Sequence, residues 1–185
     1  GGGQAAPAVS ATFCPNCGNR LVEAERAGKT RKTCGECAFV EYRNPAVGVA
    51  VVLRDEAGRV LMGRRATGIY TGLWCIPCGY VEWDEDVRDA AVREFEEETG
   101  VRVELGGVVA VHSNFHNRDK QTVGIWFEGI ARDGEPHPID GEFTELDWFG
   151  PETPPEFAFP TDGLVLRELA GSRDQSTAPA RLSGQ

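Results

Sequence analysis

The sequence predicts a mixed α/β sandwich preceded by a small zinc-stapled ribbon. Three observations carry this expectation. Segments patterned as strand, strand, helix, strand, strand, helix follow one another from residue 46. Two C-x-x-C pairs crowd a short polar segment ahead of them. Of the 185 residues, 41% are hydrophobic, enough for one globular core. A chain of this size hides roughly 70% of its unfolded surface, so that core needs no disulfide.

Each element has a local reason. Residues 1–12 are rich in Gly, Ala, Ser and Pro and are expected to be a disordered tail. Residues 13–43 hold the two cysteine knuckles and have too few apolar residues for a core of their own. A Val/Ala-rich strand runs from Ala46 to Leu53. Asp55-Glu56-Ala57-Gly58 then turns the chain, and Arg59 to Arg64 reads as the returning strand of a hairpin. A Gly-punctuated stretch covers 68–79, and a helix is expected over 85–99, with Gly100 as the residue just past its end. Strands follow at 107–113, 122–131 and 146–149. After them come a Pro-rich loop at 151–160, a short helix at 163–170 and a polar tail over 172–185.

Net charge is −10, which argues against duplex nucleic acid as the main partner, because such binding rests on Lys and Arg against phosphate. The charge is also local. Residues 1–43 hold six Lys/Arg against four Asp/Glu, whereas residues 81–100 hold nine Asp/Glu against two Arg. No apolar run approaches the roughly 20 residues that span a bilayer, and no signal-peptide core is visible, so a reducing cytoplasm is the expected compartment. Cysteine pairs there read as metal ligands or redox groups before disulfides.

Cys14-x2-Cys17-x16-Cys34-x2-Cys37 places two thiolates on each of two knuckles, a complete tetrahedral set for zinc. Gly18 and Gly35 are expected to allow the tight turns. With all four positions filled, such a zinc would be structural. A redox dithiol pair is the alternative.

The helix at 85–99 carries a second signal. On a wheel of about 100° per residue, Ala90, Ala91 and Phe95 fall within roughly 80° of Val87. Glu94 and Glu98 fall within about 20° of it, and Glu97 about 80° away. The stripe that begins as core therefore continues as carboxylates. Clustered carboxylates repel, and burying one unpaired is costly. A hard cation bound through oxygen, Mg²⁺ or Mn²⁺, would compensate. A solvated acidic helix end is the other reading, and the wheel leaves both open.

Gly79-x5-Glu85-x7-Arg93-Glu94-Phe95-x-Glu97-Glu98-x-Gly100-Val101 resembles the Nudix box at every defined position. The resemblance covers about 44–170. With the ribbon included, the chain resembles zinc-ribbon Nudix proteins, among them NADH pyrophosphatases and relatives acting on FAD or ADP-ribose. It implies an α/β/α sandwich with a mixed sheet in a domain over 44–171, and divalent-metal-dependent hydrolysis of a diphosphate bond in a nucleotide conjugate. It further implies that Glu94 and Glu98 are metal ligands and that Glu97 is a further ligand or water-positioning group. Arg93 would orient the glutamates, Glu85 would support them, and Cys78 would offer its backbone carbonyl to metal. Glu142, just before the strand ending Trp148-Phe149, would be an added ligand, with Glu97 or Glu145 as general base. Tyr42, five residues after the last ribbon cysteine, would contact substrate, and Phe115 or Trp126 could stack on a base. Ribbon-bearing relatives are often dimers, so a homodimer is also expected. An RNA-cap-removing or NADH-cleaving enzyme and a nucleotide-sensing module without activity are the alternative functions.

The sequence departs from the family pattern twice. The Ser-Gln-Pro-Trp-Pro-Phe-Pro-like array of NADH pyrophosphatases is absent, and His112-Ser113-Asn114-Phe115-His116-Asn117-Arg118 stands there. Arg118 and Lys120 suit hydroxyl- or phosphate-rich groups, so ADP-ribose or FAD is expected ahead of NADH. Cys75-Ile76-Pro77-Cys78 replaces Leu-Pro-Gly-like residues, leaving a redox switch or a second zinc knuckle as further readings.

Overall fold

A computed structural model describes residues 11–117 and 120–176. The chain divides into two compact units, Gly1–Pro45 and Ala46–Gln185. In the first unit, Val22–Arg26 (β1) pairs antiparallel with Lys29–Thr33 (β2). Ala27 and Gly28 link them, both with positive φ, the geometry that matches the twist of a two-residue hairpin. The core of this unit is Leu21 packed with Cys14 and Cys34, flanked by Ala11 and Phe39. So little apolar material fits a segment that depends on its cysteines. The knuckle turns differ from expectation at one position. Gly18 does take a left-handed conformation, but Gly35 does not, and Ala38, the residue after Cys37, fills the equivalent place at φ 58°.

In the second unit, the central strand is Ala46–Leu53 (β3). Residues 49–53 are all buried, so both faces of the strand are covered. Val49, Val51 and Leu53 pack with Ala90, Ala91 and Phe95 of the helix Val87–Thr99 (α1). Ala50 and Val52 pack with Val165 and Leu166 of the helix Pro160–Ser176 (α2). The result is the α/β/α sandwich. A strand of this kind reads as a continuous apolar run and takes partners on both edges. Here they are Cys78–Tyr80 (β6), antiparallel, and Thr122–Asp133 (β8), parallel. Arg102–Asn114 (β7) closes the four-stranded mixed sheet against β8, with three register shifts along its length.

The expected hairpin of 46–53 with 59–64 does not form. The Asp55–Gly58 turn is present, with the Gly58 amide donating to the Asp55 carbonyl at 2.8 Å. Beyond an isolated Arg54–Val60 bridge, however, Val60–Arg65 (β4) leaves for a second, three-stranded sheet. There it lies between Trp74–Cys75 (β5) and Phe143–Phe149 (β9). Both edges of β3 are already taken by β6 and β8, which leaves no edge for β4. The C-terminal helix is also longer than expected. It starts at Pro160, a residue suited to a first helical position because it has no N–H to leave unpaired. It runs through residues 172–176, where a tail was expected; the rest of the two expected tails lies largely outside the described residues. Among the described residues, no helix is long and apolar enough to cross a membrane.

Candidate active site

The helix α1 is fixed at both ends. The Asp86 carboxylate accepts from the Arg88 amide at 2.8 Å, and Gly100, left-handed at φ 71°, donates its N–H to the Glu96 carbonyl. Its inward stripe then reaches β6, where Gly79 stands opposite Val49. A Cβ on Gly79 would overlap the carboxyl carbon of Glu94. The glycine is therefore required for close approach: it lets a glutamate side chain lie directly on the strand backbone.

Arg93 organises the surrounding carboxylates. Its Nε donates to Glu85 Oε1 at 2.7 Å and its Nη2 to Glu85 Oε2 at 2.9 Å, a two-pronged grip. Its Nη1 donates to Glu94 Oε1 at 2.8 Å and to Glu97 Oε2 at 3.2 Å, and Nη2 also reaches the Tyr80 carbonyl at 3.3 Å. These hydrogen bonds hold the Glu85 carboxyl down at about 2. Glu94 goes the other way: burial raises it, against the pull of Arg93.

Glu98 stands apart. Only 1% of it is exposed, and its Oε2 has no hydrogen-bond partner. Burial first, and then the neighbouring acidic groups Cys78, Glu142, Asp140 and Glu94, push its carboxyl well up. A buried acid with an unsatisfied oxygen among other acids either holds its proton or meets an oxygen-ligated hard cation. Among the described residues, only Cys14, Cys17, Cys34 and Cys37 bring their ligand atoms within 4.8 Å of one another. The carboxylates stand farther apart, and a cation of the Mg²⁺ kind spans such gaps with retained waters.

A cavity of about 340 Å³ opens beside these groups. Its wall includes Cys78, Gly79, Glu94 and Glu142, and also Arg65, Tyr70, His116, Trp126, Phe159 and Asp162. Arg65 Nε is buried there without a hydrogen-bond partner. Glu142 sits in the loop before β9, with its amide donating to Asp140 Oδ1 at 2.9 Å. Glu97 is exposed and tied to Arg93, while Glu145 lies on β9 opposite Arg64, whose Nη1 is 3.7 Å away. Neither lines the cavity, and Glu98 does not line it either.

The expected aromatic contacts are placed unevenly. Trp126 lines the cavity but is 4% exposed, its ring folded over Gly124. Phe115 is 65% exposed and is not part of the wall. Tyr42 belongs to the first unit, with the Arg31 guanidinium 4.8 Å from its ring centre. His112 Nε2 lies 3.1 Å from Glu168 on α2, and Lys120 Nζ lies 4.1 Å from the Tyr80 ring centre. Arg118 falls outside the described residues. Cys75 is fully buried, and its hydrogen bond with the Cys78 thiol, together with burial, pushes Cys78 well up, so Cys78 holds its proton. Sequence reasoning missed Tyr70, Phe159 and Asp162, which come from a loop and a helix start some ninety residues apart. The one local clue was the proline-started helix that carries Asp162.

The NUDIX domain model matches residues 44–169. The chain belongs to the Nudix hydrolase family. An RNA pyrophosphohydrolase from Novosphingobium aromaticivorans is 32% identical over 151 residues, covering 71% of this chain and 92% of that one. The NAD-capped RNA hydrolase NudC from Vibrio parahaemolyticus is 28% identical over 163 residues. That alignment covers 86% of this Nudix chain but only 58% of NudC. Among solved structures, a NUDIX hydrolase from Nitrosomonas europaea superposes with a TM-score of 0.75 at 30% identity, covering 89% of this chain and 93% of that one. Nudix enzymes of this kind are pyrophosphohydrolases acting on phosphorus-containing anhydrides, and they use divalent metals.

The Glu98 environment makes a stability prediction. Its folded carboxyl titrates above its unfolded value near 4.5, so the metal-free fold loses stability as pH rises past that value. Glu98→Gln removes the titration. In excess EDTA, its melting temperature should match wild type near pH 4 and exceed it increasingly toward pH 8. A variant that melts below wild type at pH 8 would show that the carboxylate is satisfied in the metal-free fold.

Proposed function

We propose that this protein hydrolyses the diphosphate bond of a nucleoside diphosphate joined to a second group, with ADP-ribose or FAD preferred over NADH. The observation that carries the reading is the buried, unpartnered Glu98 carboxylate beside a cavity walled by Glu94, Glu142 and Arg65. Glu94, Glu98, Glu142 and the Cys78 carbonyl would hold Mg²⁺ or Mn²⁺. When bound, the cation neutralises phosphate charge and acidifies the attacking water. Arg93 holds Glu94 and Glu97 in place through its hydrogen bonds. Glu97 or Glu145 would take the water's proton, each standing beside an arginine, Arg93 at 3.2 Å and Arg64 at 3.7 Å. Arg65 presents an unused donor to a phosphate oxygen, where a guanidinium hydrogen-bonds most strongly. The four cysteines of the first unit would hold a structural zinc, closed to catalysis because every position is a thiolate.

A second reading, action on an RNA 5′ end, is favoured by the relatives' activities and by Tyr80 and Trp83. Trp83 is 91% exposed and offers a face on which an unpaired base could stack, and Tyr80, 44% exposed, carries Lys120 over its ring, where a phosphate would find a cation. The net charge of −10 weighs against a long RNA footprint.

Offered equal ADP-ribose, FAD and NADH with Mg²⁺ or Mn²⁺, the protein should consume one of the first two fastest. Disappearance of NADH first, by a clear margin, would contradict the preference. A NAD-capped RNA consumed ahead of all three would favour the second reading. Glu98→Gln should lower kcat by at least roughly 100-fold while the protein stays folded. For the first unit, elemental analysis should find one zinc per chain, and Cys34→Ser should lower both zinc content and solubility. Zinc-free protein of unchanged stability would refute that assignment.

A further inference from the structure

We propose that Asp162 is a specificity-determining residue that reads an adenine, its carboxylate accepting a hydrogen bond from the exocyclic amino group while the base lies against Tyr70 and Phe159. The inference deepens the reading above and rests on it for the identity of the substrate.

The cavity wall that holds Glu94 also holds an aromatic corner. Tyr70 and Phe159 meet edge to face with ring centres 5.4 Å apart, and His116 lies 5.7 Å from each. Such a corner offers apolar surface to a flat base. Beside it, Asp162 lines the same cavity although only 1% of it is exposed. Its Oδ2 accepts the Ile76 amide at 3.1 Å, which fixes the carboxyl plane. The Trp126 indole also reaches this carboxyl and, with the Ile76 amide, pulls against the effect of burial; an asparagine would keep the Ile76 bond with no charge to bury. Burial pushes the Asp162 carboxyl up to about 7, so the acid costs stability at neutral pH that an amide would not. What the acid adds is a second oxygen that accepts and never donates once ionised.

Asn114 supplies the complementary group. Its Oδ1 is occupied, 2.8 Å from His116 Nδ1 and 3.4 Å from the Thr161 hydroxyl. Burial lowers the His116 pKa and favours its neutral form, which can donate one N–H to that oxygen. The Asn114 amide nitrogen is then left with two donors and no partner among the described residues. A donor and an acceptor on the wall of one cavity suit the edge of adenine, where a ring nitrogen accepts next to an amino group that donates. Hypoxanthine puts a carbonyl oxygen where adenine has its amino group, and that oxygen would face the Asp162 carboxylate.

The test measures binding of AMP and IMP to the whole 185-residue chain, prepared with zinc, by calorimetry at pH 8, with no turnover involved. AMP should bind at least about tenfold tighter than IMP. Asp162→Asn keeps the Ile76 contact and can turn an amide donor toward the carbonyl, so the ratio should fall to one or reverse. Asn114→Ala should weaken AMP binding without reversing the preference, and it covers the case in which Asp162→Asn does not fold, as judged by its melting curve. Equal binding of AMP and IMP to the wild type overturns the proposal, as does an unchanged ratio in folded Asp162→Asn. If the AMP preference holds but no adenine conjugate is hydrolysed, the catalytic reading fails and the base reading stands. If ADP-ribose and its inosine counterpart are cleaved with equal kcat/KM, the catalytic reading stands and the base reading fails.

Discussion

One buried carboxylate sets the terms for the rest of this structure. An ionised group removed from water is strongly destabilising unless it is paired, and Glu98 has one oxygen with no partner. Its neighbours sharpen the problem, because Glu94, Glu142 and Asp140 carry the same sign. A helix that ends its core-facing stripe in such residues works against its own stability. On the proposed reading the arrangement is a site held ready for a cation, whose binding would offset the cost that the metal-free fold bears.

The surrounding frame can be understood as support for that arrangement. Gly79 has no side chain because Glu94 occupies the space a Cβ would need. Arg93 spends its donors on Glu85, Glu94 and Glu97, which fixes carboxylates that would otherwise spread apart by repulsion. The central strand β3 is covered by α1 on one face and α2 on the other. Through β6 and the Ile76–Asp162 contact, it brings the acidic helix and the start of α2 to one cavity. The charged end and the aromatic end of that cavity thus belong to a single rigid sandwich, which suits a substrate with a diphosphate at one end and a base at the other.

Much of this was legible in the sequence wherever the signal was local. The acidic helix announced itself through its spacing, and Gly100 marked its end through the left-handed turn it adopts. The four cysteines declared their grouping by spacing alone. The readings that failed were those that depended on distant partners. The strand Ala46–Leu53 reads as half of a hairpin with its neighbour in sequence, yet a strand buried on both faces belongs inside a sheet, where its edges go to strands beyond that neighbour. The short strands β5 and β6 have two and three residues, too few to show any period. The turn at Ala38 could not be anticipated from residue type, since alanine seldom adopts a left-handed conformation. Asp162 gave no pattern at all; its position follows from where α2 docks. Pro160 was a usable sign that this helix begins earlier than its apolar spacing suggests.

The claim that Glu98 is held unpaired for a divalent cation can be tested without any substrate. Mn²⁺ binding to the zinc-loaded protein, followed by loss of the free-ion paramagnetic resonance signal at pH 7.5, separates wild type from Glu98→Gln. The account predicts saturable binding to the wild type and an affinity at least roughly tenfold weaker in the variant, in line with the loss of one charged ligand. Equal Mn²⁺ affinity in the two proteins would contradict it, and would mean that the buried carboxylate serves the fold rather than the metal.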